Sequence, residues 1–198
     1  MRILRGGQQQ DFVESREESL VLSGITWQQF KGLESSFAPI AGVRLVYLDG
    51  VLQIVILEDE HEYYKRTIGL LLEAYLRGRG IRFYSQGSAT LGGEGVQVQK
   101  EPDESYSLGC RKAIPDLVVE VVVSSSGMDS LGIYERIGVP EVWFWEDGML
   151  KVYTWQGEYR QVERSGLLPD LDLGLLAKYV VYHDQYDAVS DFIGELFG

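Results

Sequence analysis

Two kinds of hydrophobic pattern divide the chain into predicted strands and predicted helices. Apolar residues flank Asp49-Gly50 in "RLVYLDGVLQIVIL" and Asp147-Gly148 in "PEVWFWEDGMLKVYTW". Asp-Gly pairs favour the two-residue turn of a β-hairpin, so each segment predicts a hairpin. A third apolar run, "DLVVEVVV", is dense in β-branched residues and predicts a central strand.

Four further segments have the spacing or the end signals of helices. In "GITWQQF", Thr26 is placed to cap a helix, with Gln29 as its capping-box partner. "EDEHEYYKRTIGLLLEAYLRGRG" predicts a longer helix, because its apolar residues recur at i, i+3, i+4 and i+7. "MDSLGIYERIG" predicts a short helix ending at Gly138, and "DAVSDFIGELF" predicts a terminal amphipathic helix.

The order of these elements predicts an α/β fold, in which hairpins flank a mixed central sheet and helices pack on it. Residues 1–20 are polar and charged, so we expect a poorly ordered N-terminal segment. Residues 21–198 predict a single domain, since no segment has the composition of a linker.

Composition and charge narrow the classes of function. Of the 198 residues 45% are hydrophobic, which suffices for a sizeable core, and a single cysteine excludes a disulfide framework and a thiolate zinc site. Neither a secretory leader nor a run of about 18 apolar residues occurs, so we expect a cytoplasmic protein without a membrane span. The net charge of −12 counts against casual DNA binding but leaves room for a local basic patch.

Glu120 interrupts the apolar run "LVVEVVV", where a lone carboxylate is costly to bury. One interpretation is that Glu120 pairs with an arginine or lysine, or lies near the exposed end of the strand. The other is a divalent metal site, because hard cations such as Mg²⁺ select carboxylate oxygens. Asp103 on a neighbouring strand and Glu62 in the first turn of the long helix could join it. Asp116 shares the strand face of Glu120 and is either another acid of this site or a turn residue.

Several segments resemble one family, in matching order over about residues 24 to 190. "EPDESYSLG", "PDLVVEVVVSS" and "GIYERIGVPEVWFWEDGMLKVY" are similar to the Uma-type restriction endonucleases, a branch of the PD-(D/E)XK nuclease superfamily. "GITWQQF", "YLDGVLQIV" and "EHE" resemble its N-terminal portion, and "LLPDLDLGLLAKYV" resembles its C-terminal tail.

This resemblance implies a restriction-endonuclease-like core and metal-assisted hydrolysis of DNA phosphodiester bonds, with Mg²⁺ or Mn²⁺ as the cofactor. Carried over onto this sequence, Asp103 matches the motif aspartate, Glu120 the acid of the next strand and Glu62 an acid on the first core helix. All three would be catalytic, and Asp103 and Glu120 would hold the metal. The resemblance and the apolar second hairpin also imply a homodimer.

The lysine of the superfamily marks a departure. Its usual position, two residues after the acid, is Val122 here. Uma-type members take the lysine from the following helix, in a pattern like "DKLxIY", but this chain has "DSLGIY" with Ser130 in its place. A serine supplies no positive charge to a developing oxyanion. Either another cation substitutes for the lysine, or hydrolysis is slowed or lost. Four cations lie near the acids in sequence, and the favoured interpretation of each is a solvated surface charge: Lys65, Lys100, Arg111 and Lys112.

Two hypotheses follow. The retained acids favour a metal-dependent endonuclease that acts on DNA. The missing lysine and the acidic charge favour a catalytically inactive relative that keeps the fold as a binding or interaction module.

Overall fold

The computed structural model describes residues 18–57, 59–122 and 129–198, which form two β-sheets and five α-helices. The first sheet is antiparallel throughout. Its strands, in spatial order, are β1 (Glu18–Ser23), β3 (Val51–Ile56), β2 (Val43–Leu48), β6 (Val98–Lys100) and β5 (Leu91–Gly93).

The second sheet is mixed, because β8 and β9 run parallel while its other pairs are antiparallel. A parallel pair needs a crossover, and the helix Ser130–Ile137 supplies it here. The strands, in spatial order, are β11 (Tyr159–Val162), β10 (Met149–Trp155), β9 (Glu141–Glu146), β8 (Leu117–Val122), β7 (Glu104–Leu108) and β4 (Phe83–Ser85).

Four helices cover the outer faces of the two sheets, and the fifth forms the crossover. A short 3₁₀ turn, Glu94–Val96, links β5 to β6. None of the helices in the described part of the chain combines the length and apolar character needed to cross a membrane. The helices are α1 (Trp27–Phe37), α2 (Asp59–Gly78), α3 (Ser130–Ile137), α4 (Leu173–Val180) and α5 (Gln185–Phe197).

Both predicted hairpins are confirmed, and their turns have the backbone that the Asp-Gly pairs require. Asp49 and Gly50 have φ values of 45° and 83°, and Asp147 and Gly148 have 52° and 74°. Two successive residues with positive φ form the mirror-image turn whose twist matches the flanking strands. The two turns thereby fix the registers of β2 with β3 and of β9 with β10.

The predicted helix ends are confirmed as well. Thr26 caps α1 by accepting from the Gln29 backbone N–H, while the Gln29 side chain accepts from the Thr26 N–H. Gly138 ends α3 in a left-handed conformation with φ of 91°. Strand β1 and helix α4 had no counterpart in the predicted elements.

Three apolar clusters hold these layers together. The largest packs one face of the second sheet against α2, α4 and α5. A second joins the opposite face of that sheet to α3 and to the first sheet, through residues such as Val118, Tyr134 and Val98. A third packs Phe30 of α1 on Tyr47 and the outer face of the first sheet. The second sheet is therefore buried on both faces, and β8 lies inside it.

Trp143 and Trp145 of the second hairpin are buried in the largest cluster, so these tryptophans belong to the core of this chain. Glu18–Ser23 form β1, so the last three residues of the segment expected to be poorly ordered belong to a strand. Residues 1–17 lie outside the described residues, and the boundary at residue 20 stays a prediction.

Candidate functional site

A small cavity of about 60 Å³ lies between the two sheets. Strands β2 and β3 of the first sheet form one wall, and β8 with the start of β7 forms the other. The N-terminus of α2 closes one side through His61. Seven of its lining side chains, unlike its aliphatic residues, can bind ions or form hydrogen bonds: Arg44, Gln53, His61, Lys100, Glu101, Asp103 and Glu120.

Asp103 lies directly before β7 and is only 1% exposed. Three groups from separate elements hold its carboxylate. Arg44 of β2 donates from Nη1 to Oδ1, the backbone N–H of Val121 donates to Oδ2 at 2.7 Å, and His61 Nε2 lies 3.1 Å from Oδ2. We call Asp103, Arg44 and His61 the Asp103 end of the cavity.

The pKa of Asp103 reflects these contacts. Burial alone would raise it, because a carboxylate loses hydration when it leaves water. The hydrogen bond and charge of His61, the Arg44 guanidinium and the Val121 N–H act in the other direction and lower the pKa of Asp103 to about 2. Asp103 is therefore a permanently charged anchor at any physiological pH.

Glu120 lies on the face of β8 that points to the first sheet, together with Val118, as strand alternation predicted. Its Oε1 accepts from the Tyr134 hydroxyl of α3 and lies 3.1 Å from Lys100 Nζ of β6. Among the described residues no hydrogen bond or ion pair engages Oε2. Together with Ser130, which contacts Lys100, these residues form the Glu120 end of the cavity.

The pKa of Glu120 moves the opposite way. Burial raises it, and the negative charge of Asp103 raises it further, while the Lys100 charge and the Tyr134 hydrogen bond oppose the increase only in part. Ionised Glu120 therefore depends on a cation beside it more than Asp103 does.

The structure brings together two of the three predicted acids. Asp103 and Glu120 line the same cavity, whereas Glu62 does not line it and its side chain is 47% exposed. Glu62 contacts the Asp103 end from outside: its Oε1 lies 3.7 Å from Arg44 Nη2 and 4.0 Å from His61 Nδ1. Within residues 18–57, 59–122 and 129–198, no three Asp, Glu, His or Cys side chains cluster as metal ligands. The predicted convergence of all three acids on one cation is not observed there.

Asp116 has the contacts of a turn residue. It accepts from the Leu108 backbone N–H at 2.7 Å and from Lys112 Nζ at 2.6 Å, and it does not line the cavity.

The cations near the acids differ in a way that the sequence did not reveal. Arg111 is exposed, Lys112 pairs with Asp116, and Lys65 Nζ lies 3.3 Å from Glu62. Lys100 is different: it is 8% exposed and lines the cavity, so its interpretation as a solvated surface charge is wrong. The reason is its place on β6, which lies against β2 inside the fold.

Two residues that we did not assign to the site from sequence, His61 and Lys100, nevertheless had a signal there. His61 precedes Ile68, Leu72 and Tyr75 by 7, 11 and 14 positions, so the buried face of α2 extends to it and misses Glu62. Lys100 follows the fully buried Val98 by two positions, which places both on one strand face. Arg44 and Tyr134 had no comparable signal.

A mixed sheet flanked by helices, with paired acids on neighbouring strands, defines an α/β domain of restriction-endonuclease-like architecture. The family model described as "Uma2: Putative restriction endonuclease" matches residues 27–178. This chain therefore belongs to the Uma2 family, and the resemblance seen in its sequence is confirmed. No curated protein matches the chain.

Proposed function

We propose that this chain is a metal-dependent endonuclease that hydrolyses DNA phosphodiester bonds, with Asp103 and Glu120 as its metal ligands. The observation that carries the proposal is the meeting of these two carboxylates in one cavity that also contains Arg44 and Lys100. Anionic groups bind the cation, and cationic groups bind the phosphate. A cavity that offers both charges suits phosphoryl-transfer chemistry.

The donor set fits Mg²⁺ or Mn²⁺. Mg²⁺ typically takes one or two carboxylates, keeps several waters and completes its shell with substrate phosphate. Asp103 and Glu120 supply two such carboxylates, and Glu101 is a third carboxylate in the lining. The volume of about 60 Å³ has room for a few waters, each of which needs about 10–15 Å³. Bound there, the cation would polarise the phosphate and lower the pKa of the attacking water.

The other residues act through these two acids. Arg44 and His61 hold the Asp103 carboxylate in one orientation, so the first ligand is positioned before the cation arrives. Tyr134 orients Glu120 in the same way. Glu62 assists from outside the cavity as a positioning residue, because it contacts the site through Arg44 and His61.

The substrate and assembly belong to the same proposal. DNA meets a chain whose net charge is −12, so Arg44, Lys100 and the cation would supply the local attraction for phosphate. We also propose a homodimer, which would present two such sites. Light scattering coupled to size-exclusion chromatography tests it, and the mass of a single chain at micromolar concentration would contradict it.

Cleavage assays test the proposed activity. Purified protein is incubated with supercoiled plasmid or single-stranded DNA in Mg²⁺, Mn²⁺ or EDTA, beside Asp103→Asn and Glu120→Gln. Glu195→Gln is the matched control, since Glu195 pairs with Lys178 on the surface far from the cavity. We expect metal-dependent nicking by the wild type and the control, and at least about a hundredfold less by the two site variants. Equal nicking by all four proteins would reject the proposal.

One observation favours the second candidate, an inactive binding module. Each acid already has a protein cation, Arg44 for Asp103 and Lys100 for Glu120, and position 130 is a serine. A module of this kind would bind DNA or a protein without breaking bonds. Fluorescence anisotropy with labelled DNA distinguishes it: binding that is equally tight in EDTA and Mn²⁺, without cleavage in either, would favour the module.

A further inference from the structure

Lys100 is the cation of the cavity whose position is hardest to explain by stability alone. Lysine is seldom buried unless it is paired, and this one is 8% exposed at the end of β6. Its Nζ lies 3.1 Å from Glu120 Oε1 and donates to Ser130 Oγ at 3.2 Å. The ring of Tyr134 lies 5.5 Å away on another side. The ammonium is thus held between β8 and the first turn of α3.

The contact with Ser130 places the Lys100 ammonium next to the position of the lysine in the Uma-type pattern. Ser130 is the first residue of α3 and stands where the Uma-type pattern has its lysine. Its hydroxyl touches the Lys100 ammonium, so a lysine side chain starting from position 130 would run into the same place beside Glu120. Two ammonium groups there would repel each other, and a small neutral side chain removes that conflict.

We propose that Lys100 supplies from β6 the positive charge that a lysine at position 130 supplies from α3, with Ser130 as its hydrogen-bond partner. The inference rests on the proposed nuclease function and names a further catalytic residue for it. The charge comes from a strand instead of a helix and occupies the same place beside the acid.

The reaction defines what this charge does. A water oxygen bonds to phosphorus, the bond from phosphorus to one bridging oxygen breaks, the water loses a proton to solvent and the released oxygen gains one. Negative charge grows on the phosphate oxygens between these events. An ammonium has three N–H donors, and among the described residues Glu120 and Ser130 engage two of them. The third is available to a phosphate oxygen.

A second observation points to an acceptor ligand in the same cavity. Gln53 Nε2 is buried and has no hydrogen-bond partner among the described residues, although Gln53 lines the cavity with Lys100. A buried donor without a partner is costly unless a ligand or water completes it. Lys100 and Gln53 would thus both donate to phosphate oxygens or to the waters around them.

The test removes the charge at position 100 and restores one at position 130. The variants are Lys100→Met, Ser130→Lys and the two combined, with Lys112→Met as the matched control. Lys112 also pairs with a carboxylate near β8, at 2.6 Å from Asp116, but outside the cavity. Two quantities are measured on folded protein: the rate of plasmid nicking in Mn²⁺, and the Mn²⁺ dissociation constant by calorimetry without DNA.

We expect Lys100→Met to reduce nicking about a hundredfold or more, as the loss of a group that stabilises the transition-state charge does. Its Mn²⁺ affinity should be retained or rise up to about fivefold, because a like charge beside Glu120 is gone. The double variant should recover at least about tenfold of the lost rate and return the affinity towards the wild-type value. Lys112→Met should change neither quantity.

A merely structural Lys100 would give different results. Wild-type nicking by Lys100→Met, or a folded double variant no faster than Lys100→Met, would overturn the inference and leave the nuclease proposal standing. Absence of nicking by the wild type would overturn the nuclease proposal itself. In that case Mn²⁺ affinities that do not differ among the variants would overturn the placement of the Lys100 charge as well.

Discussion

The Asp103 end and the Glu120 end share one cavity but treat their carboxylates differently. Asp103 receives a guanidinium, a histidine and a backbone N–H on its two oxygens, and its pKa falls to about 2. Glu120 receives a lysine and a tyrosine hydroxyl on one oxygen, and its pKa rises because burial outweighs them. The first carboxylate is fully compensated by the protein, and the second is not.

The less compensated carboxylate, Glu120, is the one that should respond more strongly to a bound cation. A cation adds little to a carboxylate that is already stabilised as an anion, but it relieves the desolvation of a carboxylate whose charge is disfavoured. In the proposed enzyme the Asp103 end is the rigid part of the site. The Glu120 end is the part whose ionisation a metal shared with Asp103 would change most.

The largest expected effect on stability comes from neutralising the compensated acid. Asp103→Asn leaves the buried Arg44 without its anion, so the free energy of unfolding at pH 7 should fall by about 2–4 kcal/mol. Urea denaturation measures it. Asp116→Asn is the control, since Asp116 also accepts a backbone N–H at 2.7 Å and pairs with a lysine, but with an exposed one. Asp116→Asn should lower the free energy of unfolding by about 1 kcal/mol or less. Equal losses for Asp103→Asn and Asp116→Asn would contradict the proposed difference between a buried and an exposed cationic partner.

Acid should remove the same contribution in the wild type. The pKa of Asp103 is lowered from 3.8 to about 2, so its folded-state contribution is complete above pH 3.8 and is lost as the pH falls through 2. The shift corresponds to about 2 kcal/mol. Urea titrations from pH 5 to pH 2 should therefore show a loss of about this size that is absent from Asp103→Asn. Parallel curves for the two proteins would show that Asp103 is not the titrating group.

Sequence alone predicts the features of this fold that depend on a few neighbouring residues or on strand alternation. The hairpin turns and the Thr26 cap were predictable because each is decided within about four residues. The placement of Glu120 on an inward strand face followed from alternation, and that of Asp103 beside it followed from family resemblance.

The partners of these acids were beyond local patterns. Arg44 and Asp103 are separated by 59 positions, and Lys100 and Ser130 by 30, so each pair meets only when the sheets pack. His61 and Glu62 are neighbours in sequence and nevertheless point to opposite environments, one buried and one exposed. The helical spacing that found the apolar face of α2 distinguishes them only when it is extended to the first turn.

Neutralising Glu120 should have a smaller effect than neutralising Asp103. In Glu120→Gln the amide oxygen still accepts from Lys100 and Tyr134, and the removed charge was disfavoured by burial. A loss of about 1 kcal/mol at pH 7 is expected from urea denaturation.

Because the folded-state pKa of Glu120 is raised above 4.5, its ionisation lowers stability as the pH rises from 4.5 through that raised pKa. The loss in Glu120→Gln should therefore shrink with rising pH, and a loss that grows instead would reverse our assignment.

The smallest effect should come from the hydroxyl that Tyr134 donates to Glu120. Tyr134→Phe removes one donor, but Lys100 still compensates the carboxylate, so the free energy of unfolding should fall by no more than about 1 kcal/mol. The hydrogen bond lowers the pKa of Glu120, so its loss should raise that pKa further and make ionised Glu120 more dependent on Lys100. Combining Tyr134→Phe with Lys100→Met should then destabilise the protein at pH 8 by more than the sum of the single changes. Tyr153→Phe, which removes an exposed hydroxyl that donates to Gln161 at 3.3 Å, is the control and should add no such coupling with Lys100→Met. If the losses in the free energy of unfolding for Tyr134→Phe and Lys100→Met simply add, the two donors act on Glu120 independently, and the proposed dependence of ionised Glu120 on Lys100 is wrong.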